Sequence, residues 1–393
     1  MSLIERIGDF ADDLTEIRHD LHAHPELGFE ETRTAGIVAT KLREYGVDEV
    51  HEGIGTTGVV GILKGTGGSN RRIGLRADMD ALPIDEASGV AYASTAPGKM
   101  HACGHDGHTT MLLGTARYLA ETRDFDGTVV LIFQPAEEGL GGARRMLSDG
   151  LCERFPFDEA FGLHNDPNID PGQVRVCPGP AMAGAEFFDI TVRGQGSHAA
   201  MPHQSRDPLV IGAALVGQLQ TVVSRNAPPT KPIVLSVTQI HAGAAYNVVP
   251  DTAHIAGTIR YFHPEVREMA LERVRKLCEG FAQAHDVTID CDLRNVFDVL
   301  MNDADLSREY VAAAADIVGE ENAQETDEQA TGSEDFADIL KVVPGAYCRV
   351  GHAGSVPLHN PSFVLDDAML PVGASVMARI VERRLPRGQK EIA

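Results

Sequence analysis

Lysine is scarce in this chain: seven occur among 393 residues, so the 34 basic residues are mostly arginine. Against 57 acidic residues they leave a formal net charge of −23. That balance excludes a nucleic-acid backbone as partner, because nothing would offset the repulsion between phosphates and carboxylates. A salt-adapted source and a GC-rich genome account equally well for the lysine deficit. No apolar run approaches the roughly 20 residues needed to span a bilayer. The stretch Met1 to Arg6 has no signal-peptide core either. The expectation is a cytoplasmic protein with no membrane partner. Cys103, Cys152, Cys177, Cys278, Cys291 and Cys348 are too scattered in so long a chain for a disulfide framework. Phosphate-binding and serine-hydrolase signatures are also missing. The pairs Gly67-Gly68 and Gly141-Gly142 lack a P-loop lysine or Rossmann spacing, and no Gly-x-Ser-x-Gly elbow occurs.

What is present is a dense group of metal-capable side chains. The stretch Met100–His108 holds His101, Cys103, His105, Asp106 and His108 within nine residues. Cysteine and histidine bind borderline-soft divalent ions at neutral pH, and carboxylates complete such shells. Cys103 and His105, one residue apart, can be aimed at one ion by a turn, and a thiolate can be shared between two cations. A buried cysteine beside helix-capping polar groups is the plainer account of Cys103, but it leaves the surrounding histidines unexplained. Glu137 and Glu138 follow about thirty residues later. Neighbouring side chains in a non-helical segment point differently, so one can ligate metal while the other moves a proton. A solvent-facing helix start is the competing reading. His164 and His359 stand alone and gain meaning only from the first cluster. Asp78 suits either a carboxylate behind a metal-bound histidine or a turn cap.

The chain is too long for one ordinary core, so two domains are expected. Amphipathic patterns predict helices over 4–22 and 30–45, and strands over 57–63 and 72–77. A helix over 107–122, a strand Thr128–Phe133, a helix over 141–149 and a strand Glu159–Leu163 follow. This alternation predicts an α/β architecture around a largely buried sheet. Asp78, Glu137, Glu138 and His164 then fall just beyond the carboxyl ends of strands, where open α/β sheets collect ligand-binding groups. Near Met182 the pattern changes. Strand Glu186–Arg193, helix 208–224, strands Ile233–Ile240 and His254–Arg260, helix 265–285 and strand 287–293 follow in turn. That β-α-β-β-α-β order is ferredoxin-like and reads as an α+β insertion. Helix 304–318, a strand near 346–350 and helix 367–384 return to the first domain. The expected division is 1–181 and 295–393 for a discontinuous catalytic domain, with 182–294 inserted.

Within the insertion, Gly194–His203 is a Gly-rich loop whose histidines could donate to an oxyanion; a flexible turn is the bland alternative. Asn247 and Arg260 could grip a substrate carboxylate, and arginine has the bidentate geometry for it. Either could equally make a structural pair. The loop Gly332–Phe336 looks functional without an assignable role.

Taken together, His22–Leu27, Arg76–Pro83, Met100–His108, Gln134–Gly139, Gly162–Asn165, Gly194–Pro202, Asn247–Pro250, Gly332–Phe336 and Leu358–Pro361 closely resemble the M20 metallopeptidases. The likeness is to the amidohydrolase branch with the hippurate hydrolases and N-acyl-amino-acid amidohydrolases. The resemblance implies a zinc-peptidase-like catalytic domain with an inserted lid or dimerisation domain, and a homodimer. It maps two divalent ions, Zn or Mn with Co or Ni as substitutes, onto Cys103, His105, Glu138, His164 and His359. Glu137 would be the general base, and His198 the lid histidine that assists the transition state. Asn247 and Arg260 match substrate-side positions. The implied reaction is hydrolysis of an N-acyl amino acid to a carboxylic acid and a free amino acid. A dipeptidase or carboxypeptidase, a deacetylase of an N-acetylated diamino acid, and a metal-stabilised binding protein are the alternatives.

Overall fold

The computed structural model describes residues 2–352, 354 and 356–387. The chain divides into two compact units. The first comprises the segment up to Ala181, Leu300–Glu328 and the chain from Asp335; the second comprises Met182–Val299 and Gln329–Glu334. The inserted segment thus runs past residue 294, because strand Thr288–Phe297 continues the second unit's sheet. A short return, Gln329–Glu334, also joins it, with the Ala183 amide donating to the Ala330 carbonyl at 3.0 Å.

The first unit is built on an eight-stranded mixed sheet. From edge to edge its strands are Glu49–Ile54, Gly58–Lys64, Thr128–Gln134, Arg72–Asp78, Glu159–Asp166, Gly345–Gly351, Val174–Val176 and Ala323–Glu325. The four central strands run parallel. Thr128–Gln134 reads Thr-Val-Val-Leu-Ile-Phe-Gln and is buried along nearly its whole length, the composition of a strand covered on both faces. Helix His105–Thr122 packs against helix Met369–Arg384, and Met111, Leu112, Ala374 and Met377 are fully buried in the core they share. Each such large side chain contributes roughly 1.5–3 kcal/mol by leaving water.

Two sequence expectations needed revision. The helix over 4–22 is two helices, Leu3–Gly8 and Ala11–Ala23, parted at Asp9-Phe10. The edge strand Glu49–Ile54 was not foreseen, because Glu-Val-His-Glu-Gly-Ile offers little apolar alternation and only one buried side chain.

The second unit is a four-stranded antiparallel sheet in the order Ile233–Ala242, Thr252–Tyr261, Gly184–Arg193, Thr288–Phe297. Phe188, Ile190 and Ile255 of the sheet form one core with Leu215 and Leu219 of helix Pro208–Thr221 and Val274 and Cys278 of helix Pro264–His285. Asp207 starts the first of these helices by accepting from the Leu209 and Val210 amides, with Pro208 in the first turn, where its missing N–H costs nothing. Its last turn widens to a π-helix over Val222–Asn226.

Candidate metal centre

The parallel strands of the first unit end at Asp78, Gln134, Asp166 and Gly351, all at one edge of the sheet. Cys103 and His105 reach the same neighbourhood from the start of helix His105–Thr122. The turn there depends on Gly104, whose φ of +93° lies in the left-handed region. A Cβ at that position would stand 2.3 Å from Asn165 Nδ2. Asn165 Nδ2 instead donates to the Cys103 carbonyl at 2.6 Å, tying the cysteine turn to the strand that carries His164.

Ligand-type atoms gather in overlapping groups, each within 4.8 Å: Cys103 with His105 and His164, Cys103 with Glu138 and His359, and His105 with Glu137 and Glu138. Cys103, His105 and Glu138 each belong to two of these three groups, so the groups form one continuous cluster. His164 Nδ1 lies 2.6 Å from the Asn165 carbonyl, so that nitrogen carries the proton and Nε2 faces Cys103 Sγ at 3.4 Å. His359 comes back from the C-terminal segment because its amide donates to the Ala102 carbonyl at 2.8 Å. Its φ of +63° is unusual for a non-glycine residue, a strain of about 1–3 kcal/mol that persists where the surroundings impose it.

The electrostatics fit bound cations. Burial and Glu138 push the Cys103 thiol up, yet His105 and His164 pull it down to about 6. His164 rises to about 9 against its burial because Cys103 sits beside it, and His359 rises to about 10 through Cys103 and Glu138. A buried anionic cluster that draws protons onto its imidazoles is one that dications would satisfy. Two atoms point the same way. Among the described residues the buried His105 Nε2 and Glu138 Oε1 have no hydrogen-bond partner, although His359 Nε2 stands 3.2 Å from the latter. Together these residues offer the oxygen, nitrogen and sulfur donors of a transition-metal site.

Behind this group lies a buried polar layer. Asp78 accepts from His108 Nδ1 at 2.6 Å, and Asp80 stands 3.3 Å from His105 Nδ1. Asp80 also accepts from the Glu138 amide at 3.0 Å. His108, together with Asp78 and His105, makes another potential ligand group. Asp335 accepts from Arg76, from Gln134 Nε2 at 2.7 Å and from the Ala143 amide at 2.9 Å. The Asp335 amide in turn reaches Glu137 Oε1 at 3.4 Å. Asp80, His108 and Asp335 all sit inside motifs noticed in the sequence, but their spacing gave no hint of these contacts.

Glu137 is only 6% exposed, and the chain turns sharply just before it. Ala136 has φ +54°. Its amide donates to Glu31 Oε1 at 2.8 Å and its carbonyl accepts from the Gly142 amide at 3.0 Å.

His198, Asn247 and Arg260 belong to the second unit. His198 pairs with Val248 in a short two-stranded ladder, and the Ala199 amide donates to the Asn247 carbonyl at 2.9 Å. Both His198 and Asn247 are exposed. Arg260 is partly buried, donates to Ser333 Oγ at 2.7 Å and lies 5.9 Å from the Phe187 ring centre. Burial lowers its pKa, and no carboxylate pairs with it among the described residues.

Among the described residues no helix is long and apolar enough to cross a membrane. The model of peptidase family M20/M25/M40 matches residues 74–383. A hippurate hydrolase of Campylobacter jejuni is 42% identical over 385 residues, 98% of this chain and all of that protein. The N-acetylcysteine deacetylase of Bacillus subtilis is 37% identical, with 93% of this chain and 95% of the relative covered. A crystal structure from Bacillus subtilis, described as a dinuclear metal binding peptidase from the M20 family, superposes with a TM-score of 0.82 at 34% identity. That match covers 96% of this chain and 99% of the other. The clusters at the sheet edge, the matched segment and these relatives converge: the chain belongs to peptidase family M20/M25/M40, in its amidohydrolase branch.

Proposed function

We propose that this enzyme hydrolyses the amide bond of N-acyl amino acids, hippurate-like or N-acetylated, releasing a carboxylic acid and a free amino acid. The observation that carries the reading is Glu137, a buried carboxylate within 4.8 Å of the His105 and Glu138 ligand atoms. Cys103, His105, Glu138, His164 and His359 would hold two divalent ions, zinc or manganese, with cobalt or nickel as substitutes. Asp78 acts behind the histidines. When bound, the ions supply an electrophile for the carbonyl oxygen and acidify water. Glu137 takes a proton from the attacking water and delivers it to the departing amine nitrogen as the C–N bond breaks. His198 donates to the oxyanion, and Asn247 and Arg260 hold the substrate carboxylate. Arg260 suits that task because its partly desolvated guanidinium has a hydroxyl partner and, among the described residues, no counter-ion.

The second unit would act as lid and dimerisation domain, giving a homodimer. Its edge strand leaves Val234 and Ile240 exposed, and helix Pro208–Thr221 leaves Leu209 and Val210 exposed. Six free cysteines agree with a reducing, cytoplasmic location.

The test is amine release from N-benzoyl, N-acetyl and unblocked dipeptide substrates, before and after metal removal and restoration. Activity confined to blocked substrates and restored by metal is expected. Faster cleavage of unblocked dipeptides would move the enzyme to the peptidase branch. Glu137→Gln should keep its metal and lose at least about a hundredfold in kcat. Near-normal turnover in that metal-replete variant would remove the base assignment.

A further inference from the structure

Glu31 stands where a side chain would normally cap helix Thr32–Glu44, yet it makes no capping hydrogen bond. It turns instead into the protein, where it is fully buried. Its Oε1 accepts from the Ala136 amide at 2.8 Å and its Oε2 from the Thr57 hydroxyl at 2.5 Å. No lysine or arginine pairs with it among the described residues, and burial pushes its carboxyl up to about 7. A buried carboxylate without a counter-ion is costly to keep. Its hydrogen bonds to other residues go to a threonine and to the single residue in the Pro135–Glu138 turn with positive φ.

That turn is fixed from several directions. The Ala136 carbonyl accepts from the Gly142 amide, and a Cβ on Gly28 would lie 3.0 Å from the Ala136 Cα. On the far side of Glu137, the Glu138 amide donates to Asp80 Oδ2 at 3.0 Å. The two amides flanking Glu137 are therefore each held by a carboxylate from elsewhere in the fold. Asp80 also stands 3.3 Å from His105 Nδ1, a candidate ligand. Among the described residues Glu31 hydrogen-bonds none of the candidate ligands. Its hydrogen bond into the site, among the described residues, is the Ala136 contact, which runs through the peptide that aims Glu137, while the Asp80 carboxylate acts on it through charge alone.

We propose that Glu31 is a positioning residue for Glu137: its carboxylate holds the Ala136 peptide in the left-handed conformation that directs the base toward the reacting water. This rests on the reading of Glu137 as the base. Without Glu31 the Ala136 peptide relaxes toward an ordinary conformation, and Glu137 loses alignment while the candidate metal ligands keep theirs. An amide side chain can still accept from the Ala136 N–H and donate to Thr57, so glutamine should substitute well. Aspartate is one methylene too short to reach both.

The test measures kcat, KM and metal content for Glu31→Ala, Glu31→Asp and Glu31→Gln on the fastest blocked substrate of the panel. Glu31→Ala and Glu31→Asp should lower kcat about ten- to hundredfold, with KM within twofold and two metals retained per chain. Glu31→Gln should restore kcat to within about threefold. Should Glu31→Ala fail to fold, Glu31→Asp carries the same comparison. The double variant Glu31→Asp/Glu137→Gln should be no slower than Glu137→Gln alone, because both act through one group. Normal kcat in Glu31→Asp, or loss that tracks metal content, would overturn the proposal. So would additive losses in the double variant. A Glu137→Gln single variant of normal activity would instead remove the underlying base assignment, so the two failures are distinguishable.

Discussion

Replacing Arg76 by leucine should be among the most damaging single changes in the first unit. Arg76 is 1% exposed and donates to Asp78 Oδ2 at 2.7 Å, Asp335 Oδ1 at 3.1 Å and Gln134 Oε1 at 2.9 Å. Leucine would fill part of the volume but leave two fully buried carboxylates without their shared cation. Removing one partner of a buried pair typically costs about 3–5 kcal/mol. Asp78 keeps His108, and Asp335 keeps Gln134 and the Ala143 amide, so the lower half of that range applies. For a unit of this size about 3–4 kcal/mol corresponds to a fall in Tm of roughly 6–15 °C. Calorimetry on metal-loaded protein, followed through the transition of the first unit, reads it directly. The double variant Arg76→Leu/Asp335→Asn provides the internal control. Asparagine keeps an acceptor for the Ala143 amide without the uncompensated charge. It should therefore recover at least about 1 kcal/mol, a coupling expected of groups in one network. A loss below about 1 kcal/mol in Arg76→Leu, or purely additive effects in the pair, would refute the view that Arg76 neutralises this layer.

Gly104→Ala should cost at least about 2 kcal/mol, combining the left-handed penalty with a Cβ 2.3 Å from Asn165 Nδ2; it should also reduce metal bound per chain, read by elemental analysis after dialysis. In metal-free protein the Cys103 sulfur should be mostly thiolate above pH 6 and mostly thiol below it, since its neighbours lower it to about 6 from an ordinary value near 9. The thiolate ultraviolet absorbance of chelated protein, with Cys103→Ala subtracted, gives the midpoint; one near 9 would contradict the geometry around His105 and His164. Glu31 should act on stability in the opposite sense. Its carboxyl titrates near 7 folded and near 4.5 unfolded, so the folded state holds the extra proton between those values, and stability falls by up to about 3 kcal/mol as pH rises through that window. Urea midpoints between pH 4.5 and pH 8 should show this slope in the parent and less of it in Glu31→Gln.

The parts of the site readable from sequence were those concentrated in short segments. Cys103 and His105 announce themselves by density, and Glu137-Glu138 by adjacency after an apolar strand. The alternation of strands and helices put Asp78, Glu137, Glu138 and His164 just beyond strand ends; in the structure Glu137 and Glu138 follow strand Thr128–Gln134, while Asp78 and His164 lie in the last residues of theirs. The hidden parts depend on contacts between a side chain and a distant backbone. Asp335 holds the Ala143 amide and Glu31 holds the Ala136 amide across separations of 192 and 105 residues. A carboxylate used in this way looks like any other acidic residue in a loop. Strand Glu49–Ile54 was hidden for a different reason, since an edge strand needs hydrogen-bond pairing more than apolar alternation.

The sheet of the first unit is finished late. Gly345–Gly351 lies between Glu159–Asp166 and Val174–Val176, so most of the chain must be synthesised before that gap can close. All four strands of the second unit's main sheet, by contrast, lie between residues 184 and 297. During translation the inserted unit can therefore collapse while the residues preceding it still lack their central neighbour. Order of folding then runs against order in the sequence. Until residue 351 emerges, one edge of strand Glu159–Asp166 stays open and vulnerable to pairing with another nascent chain. Slow synthesis between residues 300 and 345 would lengthen that exposure, and the yield of active protein should depend on codon choice there more than in the inserted unit.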